Sequence, residues 1–221
     1  MNRLISYSIV ILVLSFVSGK LVNVNKNSPP RPDQIALMAR YIVHNTDWTA
    51  LSTISTLKTT LGYPFVSVKS FCDGPIDNST GIPYFYITSM DVSGADIVKN
   101  NAVTIMVTLS EVNYCKDKNY DPQDPRCPKV LISGKFLKLD NSTAEYFFAL
   151  EALFERHPAM KTWPEDHGFY VGKVDIEQIC LLDRFGGIQY VKPQDYYHAN
   201  LTRIVNVDSY KRRIAVTVNT V

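Results

Sequence analysis

The chain has 221 residues, 46 % of them apolar and 20 % charged, with 23 Lys and Arg against 21 Asp and Glu for a formal charge of +2. This is the composition of a folded globular protein: a disordered chain needs fewer apolar residues and more net charge, and a disulfide miniprotein needs far more than four cysteines. The near-neutral balance also leaves no electrostatic footprint for nucleic acid.

Leu4 to Val17 (LISYSIVILVLSFV) is an apolar run that follows a single basic residue, Arg3. A bilayer core needs roughly 20 apolar residues in a helix, so this run is short for a span. The small residues Ser18 and Gly19 follow it as a cleavage site requires, which makes residues 1–19 a secretory signal peptide. No other stretch approaches a membrane span, so no membrane insertion is expected. Residues 20–32 are polar and Asn-rich, end in P-P-R-P, and read as an extended arm.

Asp33 stands where an N-cap belongs, before a helix in which Ile35, Met38, Ala39, Ile42 and Val43 recur on one face. Strands follow over Trp48–Leu57 and Pro64–Phe71, with a turn at Gly62, and then over Pro83–Thr88. Ser93 and Asp96 have the spacing of a capping box for a short helix. Asn101–Ser110 alternates cleanly, with Val103, Ile105, Val107 and Leu109 on one face, and Val130–Leu139 is the next strand. Ser142 and Glu145 form a second capping-box pattern, opening a helix that runs to Arg156. Phe169–Leu182 reads as one long bent strand or two short ones. Six or more strands with few, peripheral helices give a mainly β, α+β chain built as an antiparallel barrel; a parallel sheet would alternate strands with longer helices. Residues 203–221, with Lys211-Arg212-Arg213 and then IAVTVNTV, read as a C-terminal extension beyond a domain at 33–202.

Three N-x-[ST] sequons, at Asn78, Asn141 and Asn200, fit a secreted chain. An oxidising lumen favours cysteine pairing. Cys115 and Cys127 bound a segment crowded with Pro, Asp, Asn and Lys, a loop on composition, and a bridge closing such a loop restricts the unfolded chain by about 3 kcal/mol. Cys72 and Cys180 are either a second bridge or two buried thiols. No C-x-x-C or H-x-x-x-H spacing points to a metal.

Catalytic motifs are absent from the sequence: it has no G-x-S-x-G, G-x-G-x-x-G, H-E-x-x-H or Walker loop. Asp166 and His167 are adjacent, and adjacent side chains point apart. His157 follows a helix C-terminus, where an imidazole satisfies last-turn carbonyls. Trp163 is either an anchor for its loop or a platform for a ligand.

TDWTALSTISTL (Thr46–Leu57), GIPYFYIT (Gly81–Thr88), CKDKNYDPQDPRC (Cys115–Cys127), RHPAMKTWP (Arg156–Pro164), LLDRFGG (Leu181–Gly187) and PQDYYHANLT (Pro193–Thr202) together resemble the CREG family of secreted glycoproteins. The resemblance covers about Pro32–Thr202. It implies a six-stranded split β-barrel like that of the flavin-binding pyridoxamine-phosphate-oxidase relatives, assembled as a homodimer, with Cys115 and Cys127 paired. It also implies a secreted or endolysosomal glycoprotein that restrains growth and supports differentiation and lysosomal function. Such a protein acts by binding rather than catalysis, and its N-glycans can carry mannose-6-phosphate for a receptor. Asn141 and Asn200 fall where the family has sequons. Asp175 stands where relatives can have another, and Asn78, Cys72, Cys180 and the tail after Thr202 are additions.

The competing expectation is a flavin mononucleotide oxidoreductase, with Thr53, Ser55, Thr88 and Ser89 as the hydroxyls available to the cofactor. In flavin-binding relatives a strand like PYFYIT leads into basic residues that hold the phosphate. Here Ser89 is followed by Met90, Asp91 and Val92, and no Lys, Arg or His occurs between Lys69 and Lys99. A dianion needs such partners, so no cofactor is expected.

Overall fold

The computed structural model describes residues 29–201. In chain order its elements are α1 (Ile35–Asn45), β1 (Trp48–Ile54), β2 (Pro64–Cys72), β3 (Tyr84–Ile87), α2 (Val92–Lys99), β4 (Ala102–Thr108), the short helix α3 (Tyr114–Asp117), β5 (Lys129–Lys138), α4 (Ala144–Arg156), β6 (Tyr170–Leu182), β7 (Gln189–Val191) and α5 (Pro193–His198). All the strand pairs are antiparallel. They run in the order β3-β2-β1-β4-β5-β6-β7, and β3 also pairs with β6 to close a six-stranded barrel with β7 appended. The expected split-barrel class is therefore the one observed. The signal peptide at 1–19, most of the arm at 20–32 and the extension at 203–221 lie outside the described residues.

Period-two alternation decides what the barrel buries. Leu51, Ile105, Ile132, Ile179 and Val191 sit in one register row across five strands, all facing inward and all buried. Met38, Ala39, Ile42 and Val43 of α1 join the same apolar cluster, as their spacing predicts. A second cluster lies outside the barrel wall, where Ala149, Ala152 and Leu153 of α4 cover Cys72, Tyr84 and Val171. The long strand is single: β6 bends past a register shift at Ser133/Gly134, pairing with β3 near its start and β7 near its end. Gly134 is required at that bulge, because a Cβ there would lie 2.0 Å from the Asp175 carbonyl oxygen.

The helix starts differ from the expected ones. At α1, Asp33 turns to Arg31 at 3.0 Å and the N-cap is Gln34, which makes no side-chain cap bond. At α2 the cap is Asp91, which accepts from Ser93 N, while Asp96 faces the barrel. At α4 the cap is Thr143, and Glu145 is drawn off to Lys173 at 2.8 Å. A reciprocal capping box does form, between Thr108 and Glu111, and it ends β4 at Thr108 by starting a 3-10 turn over Leu109–Val112. That turn replaces the last residues of the expected strand Asn101–Ser110. β7 and α5 fall in a segment to which the sequence pattern assigned no element.

Cys115 and Cys127 are disulfide-bonded. Cys115 lies in the single turn of α3 rather than in open loop. Cys72 and Cys180 are free thiols, so the second bridge does not form. Their strands explain it: Cys72 ends β2 under α4, whereas Cys180 sits between Leu131 and Tyr190 on the outer face of β5, β6 and β7.

Candidate functional site

A cleft of about 420 Å³ opens where β2 and β3 meet the segment Pro158–Phe169. One wall is aromatic. The ring centroids of Tyr86 and Trp163 are 6.0 Å apart, those of Tyr86 and Phe169 5.0 Å, and those of Trp163 and Phe169 4.9 Å. Trp163 thus both anchors its loop and presents a partly exposed face to the cleft.

The other end of the cleft is charged. Lys69, on β2, forms an ion pair with Asp91, and the Asp91 carboxylate also accepts from the backbone N and the hydroxyl of Ser93, each at 2.9 Å. Burial pushes the Asp91 carboxyl up, but the Lys69 ammonium and the two Ser93 donors outweigh it and leave it below the ordinary carboxylate range.

Of the four hydroxyl residues expected at a flavin, only Thr88 lines this cleft. Its hydroxyl donates to the His167 carbonyl and accepts from Met90 N. Thr53 is buried on β1 and donates to Asp96 Oδ2 at 2.8 Å. The same carboxylate accepts from the amide and the hydroxyl of Thr56, each at 2.7 Å. Desolvation raises Asp96, and these donors more than offset it, so it stays an anion. Ser55 pairs with Thr60 Oγ1 at 2.9 Å, and Ser89 is exposed. The four do not converge on one site. A flavin phosphate does not fit these residues, because the cleft's lysine and the Ser93 amide are already held by Asp91 and the hydroxyls of Thr53, Ser55 and Thr88 by other groups.

A second polar centre escaped the sequence pattern. Asp73 is fully buried between His44 Nδ1 at 2.7 Å and Arg156 Nη1 at 3.3 Å, and it takes a further hydrogen bond from the Ser79 hydroxyl. Desolvation would raise this carboxyl; His44, Arg156 and Ser79 hold it below its ordinary value. Arg156 Nη2 also donates to the carbonyls of His44 and Thr46, and Arg40 donates to Ser79 and to the carbonyls of Tyr196 and Tyr197. The network ties α1, α4, α5 and the β2–β3 loop together. It is not a nucleophilic triad: Ser79 donates to the carboxylate, and the remaining nitrogen of His44 is 2.9 Å from the Ile76 carbonyl. The first residue of RHPAMKTWP was the available signal, yet its partners are distant in sequence.

The other singled-out residues have structural roles. His157 Nε2 reaches the Phe71 carbonyl of β2 at 2.8 Å. His167 is exposed beside Phe169. Asn78, Asn141 and Asn200 are all exposed, and Asn78 and Asn200 line one cavity of about 380 Å³ together with Arg40. Among the described residues no group of His, Cys, Asp and Glu is placed to hold a metal, and no helix is long and apolar enough to cross a membrane.

In solved structures the fold is similar to a heme binding protein from Mycobacterium smegmatis, with a TM-score of 0.59 at 17 % identity, over 76 % of this chain and 61 % of that one. A likeness at that identity concerns the fold alone. Protein CREG1 of Gallus gallus is 37 % identical over 191 residues, which is 86 % of this chain and 98 % of that protein. Protein CREG1 of Homo sapiens is 41 % identical over 173 residues, 78 % of this chain and 77 % of the relative. The family model described as "CREG, beta-barrel" matches residues 30–198, which spans the closed barrel, the disulfide and the Asp73 network alike. With sequence and architecture agreeing over the whole described domain, the chain belongs to the CREG family.

Proposed function

We propose that this protein is a secreted or endolysosomal glycoprotein that acts by binding, as a homodimer, without flavin and without catalysis. One observation carries the reading: the polar side chains of the Asp73 and Asp96 centres, and the cleft lysine, are spent on one another. Ser79 serves Asp73, both nitrogens of His44 are engaged, Thr53 serves Asp96, and Lys69 is neutralised by Asp91. What is left to the surface is non-covalent recognition.

A row across the outer face of the sheet supports the dimer. Val68, Ala50, Met106, Leu131, Cys180 and Tyr190 lie side by side in register on six strands, and the next row is Val66, Ser52, Thr104, Ser133 and Gln178. Neither row contains a charge, while Val68 is 66 % and Tyr190 69 % exposed. A broad uncharged sheet face fits a second copy of the same face, as a two-fold interface requires. Exposure of all three sequon asparagines supports glycosylation, and with it capture by a mannose-6-phosphate receptor.

The test is an absorption spectrum of the protein secreted from a eukaryotic host, before and after incubation with flavin mononucleotide, with glycopeptides mapped in the same sample. A colourless protein that stays colourless after dialysis, with glycans on Asn141 and Asn200, is the expected result. A yellow protein would restore the oxidoreductase reading.

A further inference from the structure

The cleft has a ring-sized aromatic wall, and the lysine at its end is already paired with Asp91. We propose that Asp91 is what excludes phosphate: its carboxylate is a built-in anion, occupying the place at the start of α2 that a ligand phosphate would take, and so bars flavin mononucleotide and other phosphomonoesters from the cleft. The inference rests on the flavin-free reading above and names the residue responsible for it.

The donors around Asp91 are those a phosphate uses. A helix N-terminus presents free amides and the positive end of the dipole, and here Ser93 supplies an amide and a hydroxyl while Lys69 supplies an ammonium. All three point at one carboxylate. Gly94 fixes the arrangement, since a Cβ there would lie 2.0 Å from the Thr88 carbonyl oxygen; α2 therefore starts hard against the end of β3. The Lys69–Asp91 pair has no net charge, so an incoming anion meets the carboxylate as well as the ammonium. Because Asp91 stays below the ordinary carboxylate range, mild acid does not lift the block.

The experiment compares wild type with Asp91→Ser, which keeps a capping hydroxyl, and Asp91→Asn, which keeps shape and cap. Each is titrated with flavin mononucleotide, followed by quenching of flavin fluorescence, with riboflavin as the phosphate-free control and inorganic phosphate as competitor. Circular dichroism verifies the fold of each variant. Expected are no saturable binding by wild type and, in the variants, flavin mononucleotide bound at least about tenfold more tightly than riboflavin. That preference is displaced by phosphate and lost on adding Lys69→Gln. Binding by wild type would overturn the flavin-free reading itself. Folded variants that show no preference for the phosphorylated flavin would overturn the role of Asp91 alone.

Discussion

Arg156 extends from the last turn of α4 to bring Nη1 within 3.3 Å of Asp73 Oδ1, and the two side chains are 3 % and 0 % exposed. The contact fastens a helix on the outside of the barrel to the end of β2, and through His44 to α1. A buried carboxylate that loses one cation keeps its desolvation cost with less to offset it.

Arg156→Met therefore lowers the free energy of unfolding by about 3–5 kcal/mol. The carbonyls of His44 and Thr46 lose their donor in the same step. Urea denaturation measures the loss, and a change under about 1 kcal/mol would mean that the network is dispensable.

Stability rises on mild acidification because of Glu111. Burial pushes its carboxyl from 4.5 up to about 7, with only partial relief from the Thr108 and Trp48 backbone, and its Oε2 has no hydrogen-bond partner. Between those two values the folded state holds a proton that the unfolded state has released, so the Glu111 contribution is full below 4.5 and is lost as pH rises through about 7. Asp73, Asp91 and Asp96 act the other way, since their folded values are depressed; their contribution is lost only as pH falls below 3.8. Melting temperatures at pH 5 and pH 7.5 should differ in favour of pH 5, and Glu111→Gln should narrow the gap.

At the centre of the uncharged row, Met106 is 38 % exposed on the outer face of β4. Met106→Glu places a carboxylate in the middle of a row that carries no charge, so the proposed dimer should dissociate while far-UV circular dichroism is unchanged. Sedimentation velocity reads the outcome. A dimer that survives the substitution lies on another surface.

Thiol chemistry separates the four cysteines. Unfolded without reductant, the protein should release two reactive thiols, Cys72 and Cys180, and after reduction four. In the folded monomer Cys180 reacts before Cys72, because burial drives the Cys72 thiol up to about 12 beneath α4, and the proposed dimer would slow the reaction at Cys180. Replacing Cys115 and Cys127 by Ser should cost about 3 kcal/mol in the same urea assay.

Most of the frame was legible in the residues. Alternation around Val103, Ile105 and Val107 placed β4, and the β-rich order with few helices pointed to an antiparallel barrel. Closure was not legible, because it depends on Phe85 facing Gly172 across β3 and β6, a pairing that local pattern does not reveal. The capping residues went astray for one reason: Asp33, Asp96 and Glu145 each had a stronger distant or charged partner than the helix end they were assigned to. At the candidate site the gap in cations between Lys69 and Lys99 was readable. The use of Asp91 was not, since its distinguishing contact is an ion pair to a residue on another element.

Closing β3 onto β6 also decides how this protein meets others. β3 meets β2 only at Phe71 and Cys72, so among the described residues 64–70 of β2 keep one edge without a strand partner, and beyond β6 the sheet runs on into the three residues of β7. The edges a neighbour could extend are confined to these parts of β2 and β7. Everywhere else on the barrel wall, association is read from side chains, one position at a time. Partner choice can therefore drift by single substitutions on the outer rows while the hydrogen-bonded frame that carries them is inherited unchanged.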